Sequence, residues 1–187
     1  TTHSGDKMKN FNIAITLFLT AIFAFSANAG SNVLAEKSLQ SFQKDNFEIY
    51  AKNVLTSADK LSALMEYAKK SKSPMYPAAL FEKMTGDEVK AFYANRAKDL
   101  HKQGKENWLA TKEEGIKKGI NWKKVKFISY QFAKEPRLVF KGGELKEASI
   151  IVNFSNNKNT YSYTLDDCIS LPDGDWMCEK IVSLKKN

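Results

Sequence analysis

Two cysteines ten residues apart, placed on either side of a strong turn signal, constrain this chain more than any other feature. In Tyr161-Ser-Tyr-Thr-Leu-Asp-Asp-Cys168-Ile-Ser-Leu-Pro-Asp-Gly-Asp-Trp176-Met-Cys178-Glu-Lys-Ile-Val-Ser-Leu184, two runs of alternating character flank Leu171-Pro-Asp-Gly-Asp175. Proline presets φ, aspartate hydrogen-bonds its own turn and glycine accepts φ > 0, so the spacing predicts a hairpin. Centring the turn on Asp173 sets Cys168 opposite Cys178, Asp166 opposite Lys180, Leu165 opposite Ile181 and Ile169 opposite Met177. One register therefore satisfies the sulfurs, a charge pair and two apolar pairs, with Asp167 against Glu179 as its cost. Strict alternation places Tyr161, Tyr163, Leu165, Ile169, Met177 and Ile181 on one face and Cys168, Trp176, Cys178 and Val182 on the other. Both faces are partly apolar, so the second must meet further chain or a second subunit.

Export decides how the cysteines are read. Met8-Lys9-Asn10 is a short basic start, Phe11 to Phe25 is an apolar run, and Ala27-Asn28-Ala29 is a small-x-small site before Gly30. This is the pattern of a secretory signal peptide, too short for a membrane span of about 20 residues. Residues 1–29 are accordingly read as an upstream extension and leader, and 30–187 as one domain. In a periplasmic or secreted protein, Cys168 and Cys178 are expected to form a disulfide. No C-x-x-C pair is present to suggest thiol redox chemistry.

Ahead of the hairpin the periodicity is helical from Ser31 to Ile120. Val33, Leu34, Leu39, Phe42, Ile49, Tyr50, Val54 and Leu55 recur at helical spacing with a break at Asp45-Asn46. Thr56-Ser57 caps a second amphipathic run, and Pro74 and Pro77 hold Ser71 to Pro77 as loop. Thr85-Gly-Asp-Glu88 has the spacing of a capping box and opens a long helix, with Gly104 as a candidate bend, that ends at Lys117-Lys118-Gly119-Ile120. Alternating segments follow at Lys123 to Phe132, Leu145 to Phe154, Asn159 to Ile169 and Trp176 to Leu184, and Arg137 to Lys141 extends the first or adds a short strand. Helices first and strands after predict an α+β fold, N-terminal helices packed on a curved antiparallel sheet of about four strands.

This order of parts, closing on Asp173-Gly-Asp-Trp176, resembles exported bacterial members of the NTF2-like (cystatin-like α+β) superfamily, whose last hairpin carries a D-G-x-W signature. The resemblance implies a cone formed by a sheet wrapping the long helix, a pocket inside it, and a homodimer through the sheet's outer face. Catalytic relatives carry an Asp, His or Tyr constellation in the cone, and none is legible in this chain.

The chemistry-bearing residues are few. His101, the one histidine after the leader, falls in a Lys-rich run of the long helix and reads as surface. Without a second histidine or a cysteine cluster no metal site is expected, and no cofactor fingerprint occurs. Asp166 and Asp167, adjacent on a strand, are expected to point to opposite faces and so not to act as an acid–base couple. Asp167, on the Tyr163 face, is the weak catalytic candidate. Tyr93, Trp108, Tyr130 and Tyr163 are the pocket candidates, although bulky aromatics also fill cores. Trp176 and the cysteine bridge read as a staple and interface candidate.

The formal net charge is +8, carried by lysines with only Arg96 and Arg137 among them, and the lysines read as scattered over helix and loop surfaces. Nucleic-acid sites lean on arginine forks and aromatic platforms, so nucleic acid is not expected as a partner, and a weak attraction to anionic envelope polymers is the electrostatic alternative. The expected function is a non-catalytic domain binding a small molecule, peptide or envelope component. The alternatives are an isomerase- or hydrolase-type enzyme using Asp167 and a dimerising module centred on Trp176.

Overall fold

The computed structural model describes residues 30–187, and the leader reading lies outside them. It is α+β. Five helices precede an antiparallel sheet: α1 over residues 30–43, α2 Phe47–Asn53, α3 Ala58–Lys70, the short α4 Ala78–Phe81, and α5 Gly86–Lys117. The break between α1 and α2 falls where the sequence places it, with Asp45 at φ 50° and the Asn46 side chain accepting from the Glu48 amide. Ser57 caps α3 by accepting from the Lys60 amide. Thr85 and Glu88 form the full capping box at the start of α5. That helix runs unbroken through Gly104, where a Cβ would collide with the Leu55 side chain, so the glycine serves close helix packing instead of a bend. It ends with Gly119 at φ 77°, where the Gly119 amide bonds the Ile116 carbonyl and the Ile120 amide bonds that of Gly115.

The sheet has six strands where four were expected. They are β1 Lys126–Phe132, β2 Arg137–Leu138, β3 Lys146–Asn156, β4 Asn159–Ser170, β5 Trp176–Met177 and β6 Lys180–Lys186. The meander is the expected one, and the difference lies at its margins. β1 and β2 both pair with β3, separated by Ala133 to Pro136, and β5 and β6 both pair with β4, separated by Cys178 and Glu179. Proline lacks the donor that a continuous first strand would need at Pro136.

The hairpin register matches the sequence reading, with Ile169 opposite Met177, Leu165 opposite Ile181 and Asp166 opposite Lys180. Cys168 and Cys178 are joined by a disulfide. The turn is also as expected: Gly174 has φ 89° and the Asp173 carboxylate accepts from the Asp175 amide at 3.0 Å.

The face assignment is corrected. Ile150 pairs with Leu165 but Ala148 pairs with Cys168, so β4 carries an extra residue there, and Asp167 takes φ 51°. This bulge resets the alternation. Cys168, Trp176 and Cys178 thereby join Tyr163, Leu165 and Ile181 in the main core, while Ile169 and Met177 turn to a second core with Leu64, Leu145 and Leu171. The second apolar face of the hairpin is thus covered by α3 of the same chain.

The helix filling the sheet's core face is α1. Its Leu34, Leu39 and Phe42 enter the main core, and Ser38 meets Tyr163. The long α5 packs on α1 through Trp108 and reaches the sheet at β6, where Lys118 Nζ donates to the Leu184 carbonyl at 3.1 Å.

Candidate functional site

The four aromatic pocket candidates fall into two places. Trp108 and Tyr163 lie in the main core, with Phe42 filling the space between them at ring-centroid distances of 5.2 and 5.7 Å. Phe42 also stacks on Trp122 at 4.5 Å. Their polar atoms are used internally: Trp108 Nε1 donates to Ser41 Oγ at 2.8 Å, and the Tyr163 hydroxyl shares a 2.6 Å hydrogen bond with Ser38. Burial pushes the Tyr163 hydroxyl far above the ordinary tyrosine range. Tyr130 lies half-buried at the rim of this core, accepting from Ser31 at 3.2 Å. These residues fill the core face of the sheet with side chains.

Tyr93 stands elsewhere, on a groove between α3, α4 and the start of α5. Tyr76, Phe81 and Tyr93 line it together with Met65, Met84 and Val89. Phe81 is the hub, 5.6 Å from Tyr76 and 5.7 Å from Tyr93, with Phe92 at 5.6 Å and partly exposed. Lys69 lies over the Tyr76 ring at 5.9 Å, and Glu66 and Lys90 stand at the margins. Partial burial, with Tyr76 and Glu66 nearby, raises the pKa of Tyr93. Methionine adapts its shape to what it touches, and aromatics supply flat apolar area. The groove suits a flat or apolar group with a charged end. The sequence reading found Tyr93 by its helical spacing but missed Tyr76, Phe81 and Met84, which lie in or beside the proline loop and meet Tyr93 only through the chain reversal. The clustering of Met75, Tyr76, Leu80 and Phe81 beside Pro74 and Pro77 was the available signal.

Asp167, the carboxylate candidate, is exposed and lies on an outer groove with Asp166, Ser149, Glu147 and Arg137. The expectation that the two aspartates point to opposite faces is corrected by the bulge. Both reach Lys180, whose Nζ lies 2.5 Å from Asp167 and 3.6 Å from Asp166. Ser149 Oγ donates to Asp166 at 2.5 Å, and this bond, aided by Lys180, holds that carboxyl below its usual range. Lys180 in turn is raised, chiefly by its hydrogen bond to Asp167. A carboxylate so stabilised is a weaker base, and Asp167 faces solvent instead of an apolar cavity.

Trp176 is 5% exposed and its ring lies 5.4 Å from Phe132, within the chain's own core. His101 is half-buried, with Nε2 3.0 Å from the Thr56 carbonyl, so it ties α5 to the α2–α3 junction and is not a free surface residue. Among the described residues, no group of three or more His, Cys, Asp or Glu side chains has the arrangement of a metal site. None of the described helices is long and apolar enough to cross a membrane. Comparison with protein-family models, with curated proteins and with solved structures found no match for the chain.

Proposed function

We propose that this chain is an exported, non-catalytic binding domain of the NTF2-like kind, and that it holds a small molecule or peptide through a flat or apolar group in the α3–α4–α5 groove. The observation that carries this reading is the open aromatic and methionine lining around Tyr93, set against a sheet face already filled by Phe42, Trp108 and Tyr163. The disulfide is compatible with a periplasmic or secreted location. A screen of aromatic acids and short amphipathic peptides, followed by the NMR methyl signals of Met65 and Met84, tests it. Binders are expected to shift those methyls, and Tyr76→Ala with Tyr93→Ala to abolish the shift. Binders that leave both methyls unmoved would overturn the assignment.

A second reading is an isomerase- or hydrolase-type enzyme, and the convergence of Asp166, Asp167 and Lys180 beside Ser149 is what favours it. An activity surviving unchanged in Asp167→Asn would remove it. Homodimerisation through the sheet is the third, checked by sedimentation at high concentration.

A further inference from the structure

The tertiary fold gathers lysines that are far apart in the chain. At one end of the sheet β1 begins, β3 turns into β4 and β6 finishes. Lys126 pairs with Ser155, Asn156 pairs with Asn159 across the Asn157-Lys158 turn, and Lys185 and Lys186 pair with Ser162 and Tyr161. The C-terminus of α5 is tied to the same end, because Asn156 Nδ2 donates to the Gly119 carbonyl at 3.2 Å and Lys118 reaches Leu184. That tie brings Lys117 and Lys118 alongside Lys123 and Lys124 of the 3-10 turn Trp122–Lys124, and all of these lysines are exposed. The carboxylates here are Glu113, Glu114 paired to Lys118, and Asp45 paired to Lys112. At the far end, near the β4–β5 turn, the charges are mixed: Glu135, Glu147, Asp166, Asp173, Asp175 and Glu179 lie with Lys134, Arg137 and Lys180, and Arg137, Lys180 and Arg96 pair with Glu147, Asp166 and Glu179.

We infer that this basic end docks on an anionic phospholipid surface. Clustered lysines are drawn to such a surface without needing a shaped site. A second feature points to lipid instead of a soluble polyanion. Ile116, 57% exposed, stands on the last turn of α5 beside Lys117, next to a shallow groove lined by Phe42, Ile120, Trp122 and Lys123. An exposed aliphatic side chain within a cationic cluster is suited to enter the headgroup region while the lysines meet phosphates. This surface is separate from the groove around Tyr93.

The test is co-sedimentation of the full chain with vesicles, so that any contribution of Phe11 to Phe25 is common to every variant. Vesicles mixing phosphatidylglycerol with phosphatidylcholine are expected to bind it, and pure phosphatidylcholine to bind at least about tenfold more weakly. Salt at about 1 M, where screening acts within about 3 Å, is expected to release it. Lys123→Glu, Lys124→Glu, Lys126→Glu and Lys158→Glu combined should abolish the preference. The same charge change at exposed Lys70, Lys90, Lys98 and Lys102 should reduce it far less. Ile116→Gln should weaken vesicle binding and leave binding to a soluble sulfated polysaccharide unchanged. Equal losses from the two lysine sets would overturn the inference, as would binding to the polysaccharide but not to vesicles, or binding only between copies of the chain.

Discussion

Ser38 on α1 and Tyr163 in the middle of β4 share a hydrogen bond of 2.6 Å at a place where neither side chain reaches water. It joins the first helix to the centre of the sheet, 125 residues later in the chain. Close by, the hydroxyl of Tyr50 is fully buried with no hydrogen-bond partner among the described residues.

The two tyrosines should therefore respond oppositely to loss of the hydroxyl. Tyr163→Phe deletes one of the two hydrogen bonds of buried Ser38 Oγ, which keeps its donation to the Ala35 carbonyl at 2.8 Å, and is expected to cost about 0.5 to 1.5 kcal/mol. Tyr50→Phe removes an unsatisfied polar atom and is expected to be neutral or stabilising by up to about 1 kcal/mol. Urea titration of both variants at one pH checks the difference.

Alkaline pH provides an independent measure of the same core. Burial raises the pKa of both Tyr163 and Tyr50 in the folded chain, with the proximity of Tyr163 adding to the effect on Tyr50. The unfolded chain ionises these groups near pH 10, so their contribution is complete below that value and lost as pH rises above it. Stability is expected to fall steeply above about pH 10, and less steeply in the Tyr50→Phe, Tyr163→Phe double variant. Equal slopes for the two proteins would show that other groups control alkaline unfolding.

The disulfide closes the hairpin where the β4 bulge leaves the ladder incomplete. Replacing Cys168 and Cys178 together by serine is expected to cost about 2 to 3 kcal/mol, because the bridge limits the unfolded chain and both sulfurs are buried. Intact mass before and after reduction checks the bond, and thermal melting checks its worth. Two free thiols in the unreduced protein would contradict the pairing.

Gly115 in α5 lies directly under the Trp122 ring, which is held by its Nε1 donation to the Lys112 carbonyl at 2.9 Å and by stacking on Phe42. Helix propensity alone makes Gly→Ala favourable by about 1 kcal/mol. Here the added Cβ would overlap the ring, so Gly115→Ala is expected to destabilise by about 1 to 3 kcal/mol. Exposed Gly86, with open space around its Cβ position, is the control and should tolerate alanine.

The local signals in the sequence proved sufficient wherever one short segment decides the outcome. Ser57, Thr85 with Glu88, and Gly119 mark helix ends because each satisfies backbone groups within a few residues. The Pro-Asp-Gly turn carries its own geometry and thus the register of Cys168 with Cys178. Alternation failed at Asp167 because it assumes one residue per rung, and the extra residue there is set by pairing with β3, whose Ser149 and Ala148 lie some twenty residues away in the chain. That single bulge moved Cys168 and Trp176 into the core and turned Asp166 and Asp167 toward one lysine. The grouping of Tyr93 with Tyr76 and Phe81, and of Lys117 and Lys118 with Lys126, Lys158 and Lys186, depends on where chain ends and turns meet. Hairpin, caps, helix spans and the α+β order were thus legible from residues alone, whereas surfaces built from distant segments were decided only by long-range packing, which no local pattern encodes.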